Sequence, residues 1–169
     1  QDASCGSDLS GDQGSSAAGG QAMHEAYLYF GGLTSRSGIT QVKRDYPSNT
    51  NNTFVTSLGT HPHASAAATA YTSPITDGCQ KNYIVFISNG PFDNGDDSPS
   101  SSLYAALPGS SGAQIGLSPS GSQSNWSDEY AQYLAETGVT RVISGTTFNP
   151  KIYTYTLEVD PSTNGQGPG

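Results

Sequence analysis

The fold of this chain is most constrained by residues 82–90, NYIVFISNG. Five apolar residues stand in a row from Tyr83 to Ile87, and polar residues, glycine and proline flank them on both sides. An uninterrupted apolar run of this length is typical of a strand covered on both faces, and such strands belong to parallel sheets. The sequence therefore predicts an α/β fold with an open, mostly parallel sheet flanked by helices.

The loop after this strand is the first place to look for a binding site, because open α/β sheets bind ligands at the carboxyl ends of their strands. Residues 88–97, SNGPFDNGDD, carry several carboxylate and amide oxygens around a turn-forming glycine. Hard oxygen ligands of this kind suit Ca²⁺ or Mg²⁺ better than a soft metal. A solvated acidic turn is the alternative interpretation. The candidate cation ligands of this loop are Asn89, Asp93, Asp96 and Asp97.

Charge and composition indicate the setting of the chain. Its 169 residues include 14 acidic and 6 basic ones, a formal charge of -8, so nucleic acid and anionic membranes would be repelled. Only 33% of the residues are hydrophobic and 12% are charged, which favours a small core, long loops and an extracellular location. The sequence has no signal peptide and no apolar run of membrane-spanning length. We therefore expect no membrane insertion, and an export signal that has been removed.

The two cysteines, Cys5 and Cys79, lie far apart in the sequence. An even number of cysteines in an extracellular chain favours one disulfide bond. Such a bond would remove roughly 4 kcal/mol of unfolded-chain entropy if its geometry is unstrained. Two free, buried thiols are the alternative.

A first helix is predicted in residues 21–30, QAMHEAYLYF. Met23, Tyr27 and Phe30 recur at helical spacing. The glycine pair at 31–32 permits the left-handed conformation that ends many helices.

A second helix is predicted in residues 125–138, NWSDEYAQYLAETG, with Asn125 as the N-cap and Gly138 as the end. Its large apolar residues, from Trp126 to Leu134, share one face. We expect the apolar faces of both helices to pack on the sheet. Burial there would make four strand residues costly to replace: Ile84, Val85, Phe86 and Ile87.

Two further elements follow from local pattern. Residues 151–159, KIYTYTLEV, alternate as a strand with one face better covered, with Tyr153, Tyr155 and Leu157 on the same face. Residues 100–107 are predicted to form a short helix.

The domain prediction is a single, incomplete domain over residues 1–169. Three segments hold few residues that could pack: an N-terminal loop at 1–20, a polar insertion at 33–73 and a flexible tail at 160–169. Short edge strands are predicted at 39–42 and 53–58, inside the insertion.

Catalytic signals are weak. His24 and Glu25 begin a zincin-like pattern, but Leu28 stands where the second histidine ligand would be. His61 and His63 have no acidic or cysteine ligand nearby in the sequence, and no G-x-S-x-G motif is present. The sequence therefore predicts a protein that is not an enzyme.

Four segments together resemble the von Willebrand factor A-like domain of the PilY/PilC family of type IV pilus tip proteins. They follow one another in the order found in that family: AMHEAYLYFGG, YTSPITDGCQKNYIVFISNGP, DEYAQYLAETGV and KIYTYTLEV. They cover about a third of the chain, between residues 22 and 159, and the second segment is the most specific of them.

The resemblance implies a Rossmann-type sheet with a cation site at the carboxyl ends of its strands. The family draws its ligands from a D-x-S-x-S motif, a threonine and an aspartate. This sequence has no D-x-S-x-S motif before its first helix, has Ala17 at the threonine position beside Ser15 and Ser16, and has Asn89 at the aspartate position. The implied site therefore combines Ser16 and Asn89 with the acidic loop, and would hold Ca²⁺ or Mg²⁺ weakly.

The function implied by the resemblance is that of an extracellular binding module at the cell surface or pilus tip of a bacterium. It would act in adhesion, surface sensing or pilus assembly, with pilus subunits or a host or surface ligand as partners. One alternative is a structural subunit or processed fragment of an extracellular filament. A secreted hydrolase with an unrecognised nucleophile is less favoured.

Overall fold

The computed structural model describes residues 19–36, 70–88, 97–116 and 126–158. The helices of the described part are α1 (Gly19–Gly31), α2 (Asp97–Ala105) and α3 (Ser127–Glu136). Its strands are β1 (Asn82–Ser88), β2 (Arg141–Ile143), β3 (Thr146–Phe148) and β4 (Ile152–Glu158). β1 and β4 pair in parallel, which confirms an α/β chain with a parallel sheet. The described residues divide between two compact units, 28–36 with 70–74, and 19–27 with those from 75 onward.

In the first unit, the described residues tie the two ends of the predicted polar insertion together. Thr34 and Ala70 form an antiparallel bridge, and the N–H of Tyr71 donates to the carbonyl of Leu33 at 2.9 Å. The ring of Tyr71 meets the ring of Tyr29 edge-on, with centroids 5.6 Å apart. The edge strands predicted at 39–42 and 53–58 lie outside the described residues.

Helix α1 ends where its glycine pair predicts. The N–H of Leu33 donates to the carbonyl of Leu28, and that of Gly32 to the carbonyl of Tyr29, which is the bonding pattern of a Schellman motif. The helix begins at Gly19, two residues inside the segment predicted to be a loop.

The parallel sheet is well ordered in register but is not covered as predicted. Asn82 lies opposite Ile152, and the pairing continues to Ser88 opposite Glu158. Val85 and Ile87 are 65% and 62% exposed. The prediction that β1 is covered on both faces is therefore wrong, and these two residues are not the costly core positions that the sequence suggested. Ile84 and Phe86, on the other face, are half-buried.

Helix α3 packs against β4 and carries much of the core, as predicted. Tyr130 and Leu134 of α3 are completely buried, as is Ile152 of β4. Asp128 and Glu129 lie in the first turn of the helix, where a carboxylate is favourable to the helix dipole. The N-cap is Trp126 rather than the predicted Asn125.

A tight junction follows α3. Gly138 has a φ of 78°, and the N–H of Val139 donates to the carbonyl of Pro150 at 3.1 Å. A side chain at Gly138 would overlap that carbonyl oxygen and lie 2.9 Å from its carbon. The predicted helix end at this glycine is confirmed, and the glycine also allows the chain before β4 to approach the helix.

Strands β2 and β3 form an antiparallel hairpin that the sequence analysis missed. Its turn, Ser144-Gly145, has positive φ at both residues, 51° and 81°, as a two-residue hairpin turn requires. The signal was present, since a Ser-Gly pair stands between two β-branched runs. The strands are only three residues long, which is why the pattern is weak.

Helix α2 begins three residues earlier and ends two residues earlier than predicted. Pro99 lies in its first turn, where a missing N–H costs no intrahelical bond. The loop after α2 is held by Tyr133, whose hydroxyl donates to the carbonyl of Pro108 at 2.8 Å. Ser110 Oγ donates to the carbonyl of Tyr104 at 2.7 Å. This loop is therefore fixed to α3 as well as to α2.

Candidate functional site

The predicted cation site falls almost entirely outside the described residues. Asp97 is the first residue of α2, and the other candidate ligands lie outside: Ser16, Asn89, Asp93 and Asp96. Within the described ranges no group of three or more His, Cys, Asp or Glu side chains is placed to hold a metal ion. The Ca²⁺ or Mg²⁺ site therefore stays a prediction.

The predicted disulfide also stays a prediction. Cys79 is exposed and its thiol is free among the described residues, whereas Cys5 lies outside them.

The most distinctive surface in the described part is one face of the β1–β4 sheet. Side chains alternate along each strand, and the parallel register places the odd-numbered residues of both strands on the same face. All six of these residues are large and apolar, and each is between 46% and 65% exposed. We call this surface the apolar sheet face; its residues are Tyr83, Val85, Ile87, Tyr153, Tyr155 and Leu157.

An exposed apolar surface of this kind is unusual on a folded protein. Parallel sheets occur almost only with both faces covered, and contiguous apolar patches on soluble proteins commonly mark interaction sites. Completing the burial of these half-exposed side chains would contribute roughly 1 kcal/mol each. Covering the apolar sheet face would therefore be favourable.

A groove of about 450 Å³ lies at one end of this face, where β1 and β4 begin. It is lined by residues 78–81 and 149–151 and by the tyrosines Tyr83, Tyr153 and Tyr155. The side-chain amide of buried Asn82 joins the two sides, because Nδ2 donates to the carbonyl of Gln80 at 3.0 Å and to that of Lys151 at 3.4 Å. The groove is thus at the amino ends of the strands, not at the carboxyl ends where the sequence analysis placed a site.

The groove is locally basic in an acidic chain. Its lining includes Lys81 and Lys151 and no acidic residue. The Lys151 ammonium donates to the carbonyls of Glu136 and Thr137 at the end of α3, where a cation also complements the helix dipole. These bonds hold the Lys151 ammonium at the end of α3.

Behind the sheet, α1, α2 and α3 meet in what we call the aromatic cluster: His24, Tyr27, Tyr104, Trp126, Tyr130 and Tyr133. Tyr104 and Tyr130 meet edge-on at 5.3 Å between centroids, and Tyr27 and Tyr133 at 6.0 Å. His24 Nδ1 and the Tyr130 hydroxyl are hydrogen-bonded at 3.0 Å. Burial raises the pKa of Tyr133 to about 12. The ring contacts of α1 in this unit are therefore with α3, where the sequence analysis expected packing on the sheet.

Glu129 is the one acidic residue that is completely buried in the described part. Its Oε1 accepts a hydrogen bond of 2.9 Å from the N–H of Ile115. Its Oε2 and Asp128 Oδ1 are buried, and neither has a hydrogen-bond donor among the described residues. Burial, and then a hydrogen bond with the Asp128 carboxyl, raise the pKa of Glu129 to about 7. A proton on the Glu129 carboxyl would allow it to donate to the Asp128 carboxylate.

The free energy of unfolding is expected to fall as the pH rises from about 4.5 to about 7. The pKa of Glu129 is higher in the folded chain than in the unfolded one, so the folded state binds the proton more tightly. The stabilisation by protonated Glu129 is fully present below pH 4.5 and is lost as the pH rises through 7. Its loss lowers the free energy of unfolding by about 1 to 3 kcal/mol. Urea unfolding between pH 5 and pH 8 measures it.

Glu129→Gln should remove this pH dependence, because the neutral amide can donate to Asp128 and its oxygen can accept from Ile115. Glu136→Gln, at an exposed position of the same helix, is the matched control and should keep the wild-type slope. The same slope in wild type and Glu129→Gln would contradict the assignment.

Comparisons of the chain with protein-family models, with curated proteins and with solved structures find no match. Among the described helices, none has the length and apolar character to cross a membrane.

The sequence analysis missed the apolar sheet face and the groove as sites. The alternation of Tyr153, Tyr155 and Leu157 was recognised and one face of the strand was predicted to be better covered, but the better-covered face is the opposite one, with Ile152. In β1 the corresponding face could not be recognised, because the residues on both faces of that strand are apolar.

Proposed function

We propose that the chain is an extracellular binding module whose apolar sheet face docks a segment of another polypeptide. The observation that carries this proposal is the exposure of six large apolar side chains in register on one face of a parallel sheet. A binding role accounts for this surface because a partner would supply the second cover that a parallel sheet requires.

The buried arrangement of titratable groups also supports binding over catalysis. His24 is 8% exposed, and Tyr130 and Glu129 are completely buried, so a substrate in solution does not meet them in this conformation. The exposed groove instead offers aromatic rings, amides and lysines, which are groups suited to recognition.

The sequence resemblance supplies the biological setting of the proposal. A von Willebrand factor A-like module with an open, mostly parallel sheet would be displayed at the pilus tip or cell surface of a bacterium. There it would act in adhesion, surface sensing or pilus assembly, with pilus subunits or a host or surface ligand as partner. Of these, the exposed face favours a polypeptide, and we take pilus subunits as that partner.

The test measures binding of purified type IV pilus subunits from the source organism to the immobilised chain. Val85→Gln, at the centre of the apolar sheet face, is expected to raise the Kd about tenfold, the effect of losing about 1.4 kcal/mol at an interface. Val142→Gln is the matched control, since Val142 in β2 is 64% exposed and Val85 is 65% exposed. This control should change the Kd less than twofold.

Pilus subunits that do not bind, or equal effects of the two substitutions, would refute the proposed function. A chain that instead assembles with itself into large particles in light scattering would favour the alternative of a filament subunit.

A further inference from the structure

The apolar sheet face has the width that one α-helix would cover. Its two strands lie about 4.8 Å apart, so with side chains the face is about as wide as a helix, roughly 10 Å. Its residues form three cross-strand rows, about 6.7 Å apart along the strands. Apolar residues four apart on a helix are separated by about 6 Å, so a single stripe at i, i+4 and i+8 meets all three rows. The rows are Tyr83 with Tyr153, Val85 with Tyr155, and Ile87 with Leu157.

The opposite face shows the same kind of cover. α3 packs against β4, where Ile152 is completely buried and Thr154 is half-buried. Helices are the usual cover for both faces of parallel sheets. A helix is therefore the element that fits the open face.

The charged residues of the groove indicate which charge one end of that helix would have. At the amino ends of β1 and β4 the groove presents Lys81 and Lys151, and its lining contains no acidic residue. Asn149 and Gln80 add amides to the same lining. A carboxylate placed in the groove beside Lys81 would gain attraction from its ammonium group, whereas a cation would be repelled.

We propose that the occupant of the apolar sheet face is an amphipathic helix of a partner polypeptide, with an apolar i, i+4, i+8 stripe and an acidic residue that enters the groove beside Lys81. This inference rests on the proposed binding function and adds the chemistry of the partner.

Two designed 18-residue helical peptides test the inference. Both carry leucines at i, i+4 and i+8, and one has glutamate and the other lysine one turn before the first leucine. The wild-type chain should bind the glutamate peptide about fivefold more tightly at low salt, which is the upper range for an exposed charge pair. Lys81→Glu should reverse the preference, and 0.5 M salt should abolish it in both proteins.

Several results would overturn the inference. Equal binding of the two peptides, or a preference that Lys81→Glu leaves unchanged, would remove the acidic residue from the proposal. Absence of binding by both peptides would reject the helix as occupant. A concentration-dependent dimer that Val85→Gln abolishes would assign the face to a second copy of the chain. None of these results decides the binding of pilus subunits, which Val85→Gln and Val142→Gln test separately.

Discussion

Replacing Gly138 with alanine is expected to lower the free energy of unfolding by about 3 kcal/mol. Two costs add at this position. A φ of 78° is unfavourable for a residue with a side chain, and the added methyl group would overlap the carbonyl oxygen of Pro150. The chain before β4 would have to move away from α3, which would break the hydrogen bond from the Val139 N–H. Urea unfolding measures the loss.

Gly145→Ala separates these two costs. Gly145 also has a positive φ, 81°, but no atom lies within 4 Å of where its side chain would be. Its substitution should therefore cost only about 1 to 2 kcal/mol, from the backbone conformation alone. Equal losses at positions 138 and 145 would show that the junction with Pro150 is not tight.

The second large effect is expected at Tyr130. This side chain is completely buried, contacts Tyr104 and is hydrogen-bonded to His24. Tyr130→Ala should lower the free energy of unfolding by about 3 to 5 kcal/mol through lost burial and the cavity left behind. Tyr130→Phe, which removes only the hydroxyl, should cost about 1 kcal/mol.

The matched control for Tyr130→Ala is Tyr155→Ala, because Tyr155 is 59% exposed on the apolar sheet face. Its replacement should change the free energy of unfolding by less than about 1 kcal/mol. A small effect at Tyr130 would contradict its burial in the aromatic cluster, and a large effect at Tyr155 would contradict its exposure on the apolar sheet face.

The local elements were largely predictable from the sequence. α1 and α3 follow from apolar residues at helical spacing, and their ends follow from the glycines after them. The strand at 82–88 follows from five consecutive apolar residues, whereas its parallel pairing was predicted from a cover on both faces that the strand does not have. In each case the signal lies within the element or next to it.

The cover of the sheet was not predictable, because it depends on residues distant in the sequence. An apolar run such as Tyr83 to Ile87 shows that both faces suit burial, but not that both are buried in this chain. The buried state of Glu129 is a similar case, since an acidic residue in a first helical turn normally faces solvent. One contact that is distant in sequence is the hydrogen bond that its carboxylate accepts from the N–H of Ile115.

The predicted cation site illustrates a different limit. Its residues were chosen by ligand type and by their place after β1, and all but Asp97 lie outside the described residues. What the described part offers instead is a groove at the other end of the same strands. Its position depends on the residues that precede β1 and β4, which no local pattern singled out.

The exposure of the apolar sheet face is the central claim, and hydroxyl-radical footprinting with mass spectrometry tests it most directly. Tyr83, Tyr153 and Tyr155 should be oxidised in the free chain much faster than the buried Tyr104, Tyr130 and Tyr133. All six side chains have the same intrinsic reactivity, so the difference reports exposure alone. Protection of Tyr83, Tyr153 and Tyr155 in the free chain to the level of Tyr130 would contradict the claim.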